Sequence, residues 1–211
     1  MHIPDGFLSP ALTLPAYAMA APLWVWSVKR HFGPHQANAL PVLGTLTALA
    51  FALQTIVIPV PGGTSTHVVG AALIAILRGP QVAFVCESLV LALQALFFGT
   101  GGITVLGVNA LCMGLVGPLS AWLAYQALFR LVPKVAPFIA GYLSLQLSSL
   151  TVALVLGLQN WLSPAQFPSP FPVVLASMML PSLLVAGIIE GLYTTFAMRL
   201  MARVHAGDGR P

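Results

Sequence analysis

Residues 135–160 read VAPFIAGYLSLQLSSLTVALVLGLQN, residues 105–129 read VLGVNALCMGLVGPLSAWLAYQALF, and neither stretch contains a charged residue. Each can cross the hydrocarbon core of a membrane as a helix, which takes roughly 20 residues. In the whole chain 58% of residues are hydrophobic and 6% are charged, whereas a soluble domain carries roughly 25% charged residues. A water-soluble fold is therefore excluded. A β-barrel would need alternating apolar and polar residues, which are absent, so the sequence predicts an all-α polytopic membrane protein.

The apolar segments predict about seven transmembrane helices in a single membrane domain, residues 1–211. Their approximate limits are 9–28, 41–60, 66–78, 81–98, 105–129, 135–160 and 172–198. The third segment is too short to cross alone. We therefore expect the glycine-rich connection before it to dip into the protein, because non-helical backbone is tolerated at membrane depth only where protein or a cavity surrounds it.

The eight Lys and Arg residues predict the orientation of these spans. All of them fall in the first, third and fifth connections or in the C-terminal tail. Cytoplasmic loops carry an excess of Lys and Arg, so these connections and the C-terminus are expected in the cytoplasm. The N-terminus then lies outside, and we expect an extracellular metal-binding segment at residues 1–8.

The first two residues could form a metal chelate. No signal peptide is recognisable, so we expect Met1 to be the mature N-terminus. Its α-amine, the amide nitrogen of His2 and the Nδ1 atom of His2 can together form two fused chelate rings. Such a claw fills three corners of a square, and a square-planar nitrogen set suits Ni(II) or Cu(II) better than Zn(II). His67, on the same predicted outer face, is the candidate for the fourth corner.

Several motifs of this chain resemble those of the NikM/CbiM family, the substrate-binding membrane subunits of energy-coupling-factor transporters for nickel and cobalt. The opening Met1–Pro10, MHIPDGFLSP, carries the resemblance, as do PGGTSTH at 61–67, LRGP at 77–80, QALFFG at 94–99 and GVN at 107–109. The recognisable motifs run from residue 1 to about residue 120, and beyond that the likeness is mostly in hydropathy.

The resemblance implies a set of functional residues. The metal ligands would be the amine of Met1, the amide and imidazole nitrogens of His2, and the imidazole of His67. Asn109 would orient a ligand or pack against the claw, with an interhelical hydrogen bond as the alternative. For Asp5 we expect a cap on the following helix, and otherwise a hydrogen bond near the site.

The resemblance also implies a transport function in the prokaryotic inner membrane. The chain would capture Ni(II), or alternatively Co(II), from outside. No P-loop motif G-x-x-x-x-G-K-[ST] occurs, so we expect no enzyme activity. ATP would be hydrolysed by two separate ATPase subunits that act with a transmembrane coupling subunit and a small accessory membrane subunit. The partners would be these chains and membrane lipid; no nucleic acid or organic cofactor is expected.

Glu87 and Glu190 are the only acidic residues within the predicted spans. An ionisable residue inside a membrane is by default a functional hypothesis. We expect both to pair with Arg78, Arg199 or Arg203, or to contact a coupling subunit. The alternative is a self-sufficient proton-coupled metal carrier that uses one of them, and such a carrier would transport without any ATPase. Cys86 and Cys112 are expected to be buried thiols.

Overall fold

The structure is a computed structural model, and it describes residues 2–33, 39–60 and 64–207. The described chain is built almost entirely from helices, with one short antiparallel strand pair. In chain order the elements are α1 (Pro10–His31), α2 (Leu40–Thr55), β1 (Ile58–Val60), β2 (Thr64–Thr66), α3 (Ala71–Arg78), α4 (Pro80–Phe98), α5 (Leu106–Asn109), a π-helical segment (Ala110–Val116), α6 (Gly117–Leu128), α7 (Ala136–Leu162), α8 (Phe171–Pro181), a second π-helical segment (Ser182–Ala186) and α9 (Gly187–Gly207).

Five helical stretches within the described residues are long and apolar enough to cross a membrane. They are Pro10–His31, Pro80–Phe98, Leu106–Leu128, Ala136–Leu162 and Phe171–Val204. The expected all-α membrane fold is therefore confirmed. Two of these stretches contain a π-helical segment, and the last continues into α9 beyond its predicted limit at residue 198, so Arg199 and Arg203 are helical rather than part of a tail.

The second predicted span, 41–60, was too long. The α2 helix ends at Thr55, and Ile58–Val60 pairs with Thr64–Thr66 as a small hairpin. Pro59 explains the early end, because the residue before a proline is biased away from helical backbone and a helix usually stops at or before that point.

The third predicted span, 66–78, was also wrong in extent. Its helix, α3, starts only at Ala71, and the five residues before it are non-helical and buried. Gly70 has φ +79°, which a residue with a side chain rarely adopts. The expected buried, non-helical stretch is therefore present, and it continues as far as Gly70.

The α7 helix forms the centre of the bundle and contacts α3, α6, α8 and α9. Small residues allow these helices to approach closely: a Cβ atom added at Gly141 would lie 2.6 Å from Thr194 Oγ1 on α9. Close packing of this kind drives helix association in lipid. Large apolar side chains such as Leu123, Leu154 and Phe196 point outward, as expected for surfaces that contact lipid. Cys86 and Cys112 are free and buried, as predicted.

Candidate metal centre

Residues 2–9 precede α1 as non-helical backbone that is tied to distant parts of the chain. Ile3 and Leu8 are buried and anchor the segment in the hydrophobic core. Polar side chains complete the attachment: Gln159 Oε1 accepts hydrogen bonds from the N–H and the hydroxyl of Ser9, and Gln166 donates to the carbonyl of Gly6. The segment that carries His2 is thus held against the helical bundle.

The side-chain amide of Asn109 makes two hydrogen bonds with the backbone of Ile3. Its Oδ1 accepts from the Ile3 N–H at 3.0 Å, and its Nδ2 donates to the Ile3 carbonyl at 3.0 Å. The amide thus replaces the partner strand that this extended backbone lacks. Because Ile3 directly follows His2, Asn109 holds the backbone beside the candidate ligand and not the imidazole itself.

We expect Asn109→Leu to lower the stability of the protein. It leaves the N–H and the carbonyl of Ile3 buried without partners, at a cost of about 1–3 kcal/mol for each group. Asn109→Asp keeps one bond, since a carboxylate can accept from the N–H but cannot donate to the carbonyl. Thermal unfolding in detergent should therefore rank the parent above the Asp variant and the Asp variant above the Leu variant. A Leu variant as stable as the parent would contradict this role.

Asp5 does not cap the following helix, contrary to the expectation. Ser9 precedes α1 without any side-chain cap, and the Asp5 carboxylate accepts instead from Ile103 N, Thr104 N and Thr104 Oγ1. This contact needs glycine at position 102, where an added Cβ would lie 2.0 Å from Asp5 Oδ1. Asp5 therefore joins the N-terminal segment to the glycine-rich loop before α5.

His67 lies in the non-helical segment before α3 and is 3% exposed. Its Nδ1 lies 3.1 Å from the carbonyl oxygen of Val68. A carbonyl can only accept, so Nδ1 carries the hydrogen and Nε2 has the free lone pair. Nε2 is buried and has no hydrogen-bond partner among the described residues. The ring thus presents an unpaired nitrogen of the kind that a transition metal binds.

The imidazole rings of His2 and His67 stack against each other, with centroids 4.8 Å apart and an angle of 17° between their planes. Two nitrogens bound to one ion at about 2.0–2.1 Å are at most about 4 Å apart, so rings in contact are suitable neighbours for a shared ion. Burial lowers the pKa of His2 well below its ordinary value, which keeps the imidazole in the neutral form that metals require.

The remaining ligands of a four-coordinate site would have to come from the main chain. No third His, Cys, Asp or Glu side chain joins the two histidines within the described part of the chain. The predicted amide nitrogen of His2 and amine of Met1 would meet this need. Met1 itself lies outside the described residues.

Glu190 and Glu87 support the loop that carries His67. Glu190 accepts from the N–H groups of Val69 at 2.7 Å and Gly70 at 3.0 Å, and Glu87 accepts from Gln54 Nε2 at 2.9 Å. The expectation that these acids pair with Arg78, Arg199 or Arg203, or contact another subunit, was wrong: Glu87 is 0% and Glu190 1% exposed. They are internal hydrogen-bond acceptors.

Sequence reasoning missed Gln54 and Gln94 as neighbours of the site. Both are buried, and their side-chain amides lie beside the His2 imidazole. The available signal was an uncharged polar residue inside an apolar helix, where such side chains hydrogen-bond across helices.

Known proteins resemble this chain in both sequence and fold. The family described as CbiM, cobalt uptake substrate-specific transmembrane region, matches residues 2–207. A protein of Methanocaldococcus jannaschii assigned provisionally to metal transport is 37% identical over 97% of this chain and 92% of its own length. The fused nickel transport protein NikMN of Rhodobacter capsulatus is 33% identical over 92% of this chain, which spans 59% of that longer protein.

A solved crystal structure of a transition metal transporter superposes on this fold with a TM-score of 0.90 at 32% identity, covering 97% of this chain and 93% of the other. With its apolar spans, the chain is a multi-pass protein of the cell membrane, and it belongs to the CbiM family of membrane metal transport proteins.

Proposed function

We propose that this chain captures Ni(II) from the outer side of the membrane for import. The ligands would be four nitrogens: the amine of Met1, the amide nitrogen and Nδ1 of His2, and Nε2 of His67. The observation that carries this proposal is the stacking of His2 on the buried His67, whose Nε2 has no hydrogen-bond partner in the described part of the chain. A structural histidine pair would use these nitrogens for hydrogen bonds within the protein.

The preference for nickel rests on geometry. A chelate of an amine, an amide nitrogen and an imidazole is nearly planar, and His67 would complete a square. Square-planar nitrogen sets suit Ni(II) and Cu(II), whereas Co(II) has less to gain from them. Cobalt stays the alternative because the family description refers to cobalt uptake, while the Rhodobacter capsulatus relative is a nickel transport protein.

The energy for import would come from other subunits. The proposed arrangement is the one that the family resemblance implies: two ATPase subunits, a transmembrane coupling subunit and a small accessory membrane subunit. In support of this, the fused nickel transport relative extends well beyond the 59% of its length that this chain matches, which leaves room there for an additional component. The basic ends of α1, α3 and α9 would face the cytoplasm, and Arg199 and Arg203 on α9 are suitably located to meet a partner there.

One variant tests the N-terminal claw directly. Adding four glycines before Met1 moves the free amine out of the five-membered chelate ring while every side chain stays in place. A single added residue would not serve, because it would create an amine-x-x-His terminus that is itself a four-nitrogen ligand suited to Ni(II). We expect the parent, purified with an authentic Met1 amine, to retain one Ni(II) per chain, and the extended protein to retain none, by equilibrium dialysis followed by metal analysis. The parent should also bind Ni(II) more tightly than Co(II).

The control is the thermal unfolding of the two metal-free proteins, which should agree, because the addition removes no packed group. Equal nickel binding by the extended protein would exclude the amine as a ligand. If the parent bound Co(II) more tightly than Ni(II), the proposed substrate would be cobalt instead of nickel.

A further inference from the structure

Gln54 lies in the last turn of α2, and both hydrogens of its side-chain amide are donated to acceptors. Nε2 donates to the carbonyl of Val69 at 3.0 Å and to the Glu87 carboxylate at 2.9 Å. If the amide group were rotated by half a turn, its oxygen would face two other acceptors. The neighbours therefore require the amide nitrogen at this position. Oε1 is then left as a buried acceptor without a hydrogen-bond partner among the described residues.

Gln94, near the end of α4, provides a second acceptor of the same kind. The side chain is 3% exposed, and its Oε1 atom is buried and unpaired within the described ranges. The buried α4 face that carries Gln94 also carries Glu87 two turns earlier. Two helices thus each bring one unpaired amide oxygen to the region of the site.

His2 has the matching unpaired atom. Its Nε2 is buried and lacks a hydrogen-bond partner among residues 2–33, 39–60 and 64–207, and the side-chain amides of Gln94 and Gln54 lie beside this ring. An imidazole that binds an ion through Nδ1 carries its hydrogen on Nε2. Such a buried N–H needs an acceptor, because leaving it unpaired costs about 1–3 kcal/mol.

We propose that Gln94, with Gln54 beside it, accepts a hydrogen bond from Nε2–H of His2 and so positions this histidine to present Nδ1 to the metal. The inference rests on the proposed function, since it deepens the role of the same site. The single hydrogen on Nε2 would be shared by two amide oxygens, and all three atoms are buried and lack other partners within the described ranges. Gln54 also holds the Val69 carbonyl, two residues after His67, so a single side chain supports the surroundings of both histidines.

This arrangement affects the ion as well as the ring. A metal-bound histidine that donates its other N–H to an oxygen acceptor is fixed in tautomer and orientation and becomes a more basic ligand, and loss of such an acceptor typically costs about 10–100-fold in metal affinity. Gln94 and Gln54 are therefore positioning residues, which act on the ion through His2.

The first test uses the metal-free protein. Long-range ¹H–¹⁵N correlation spectra of histidine-labelled protein report which ring nitrogen carries the hydrogen. We expect the Nε2–H tautomer for His2 in the parent and in Gln94→Glu, and a mixture of tautomers in Gln94→Leu. Unchanged tautomer populations in both Gln94→Leu and the double variant with Gln54→Met would overturn the proposal.

The second test uses Ni(II) as the probe. Gln94→Leu should bind nickel about 10–100-fold more weakly than the parent, and Gln94→Glu should bind at least as tightly, because a carboxylate is the stronger acceptor. The ligand-field absorption band of bound nickel should move to shorter wavelength in the Glu variant and to longer wavelength in the Leu variant. A purely structural role of Gln94 would change stability without moving this band.

The matched control is Gln166→Leu, which removes another glutamine that contacts the N-terminal segment, at the Gly6 carbonyl, and should leave the band in place. If the parent binds no nickel but shows the Nε2–H tautomer that Gln94→Leu loses, the proposed function fails and the contact stands. If nickel binds and neither tautomer nor band responds to Gln94→Leu and Gln94→Glu, the contact fails and the proposed function stands.

Discussion

His67→Ala is expected to lower the affinity for Ni(II) by about 100- to 1,000-fold. The imidazole would supply one of four nitrogens. If four ligands share about 10–16 kcal/mol, the range for zinc held by small peptides, the loss of one removes about 3–4 kcal/mol, which corresponds to that change in dissociation constant. Competition titration against a chelator of known affinity measures it.

The matched control is His31→Ala, which removes a histidine at the last residue of α1, in the part of the chain expected in the cytoplasm. Its nickel affinity should equal that of the parent. His67→Ala should also keep its fold, since the ring donates only to the carbonyl of its own neighbour, Val68. A folded His67→Ala protein with the affinity of the parent would exclude His67 as a ligand.

The class of fold could be predicted because composition alone decides it. Long apolar stretches without charge have no stable arrangement in water, and five helical stretches of the described chain are long and apolar enough to cross a membrane. The ends of helices were predicted less well where the chain leaves the helix for a local reason. Pro59 stops α2 early, and the positive φ of Gly70 delays the start of α3; hydropathy registers neither effect.

The candidate site was predictable in its centre and not in its surroundings. His2 and His67 were selected from ligand chemistry, predicted orientation and motif resemblance, and the structure brings their rings into contact. Glu190 was expected to pair with arginines because it lies near the predicted cytoplasmic end of its span, where the basic residues are. Its actual partners, the N–H groups of Val69 and Gly70, are about 120 residues away, and backbone donors carry no sequence signal.

The same limit explains Gln54, Gln94 and Asp5. Gln54 donates to the carbonyl of Val69, Gln94 lies beside the ring of His2, and Asp5 accepts from the N–H groups of Ile103 and Thr104. Each of these neighbours is brought there only by the path of the chain. A sequence shows that such residues are polar within an apolar environment. The identity of their partners follows from tertiary structure.

Glu190→Leu is expected to destabilise the protein by about 2–6 kcal/mol, because two buried N–H groups lose their acceptor and each group left unpaired costs about 1–3 kcal/mol. These groups belong to the residues that follow His67, so the segment that positions the imidazole should loosen as well. Glu190→Gln retains one acceptor oxygen and should lose less. Chemical denaturation in mixed micelles measures the stability, and nickel titration at a temperature where all variants are folded measures the site.

The variant Glu87→Gln tests whether the contact of Glu190 with the loop matters specifically, or whether the protein needs any buried carboxylate. Among the described residues Glu87 accepts from Gln54 alone. A glutamine oxygen at the same position can still accept from that amide, so this variant should remain close to the parent in stability and nickel affinity. If both glutamates matter equally when changed to glutamine, the loop contact of Glu190 cannot be the reason. Their charge would then be the shared requirement, and the proton-coupled carrier would become the better explanation. Such a carrier predicts nickel uptake into vesicles that contain this chain and no ATPase.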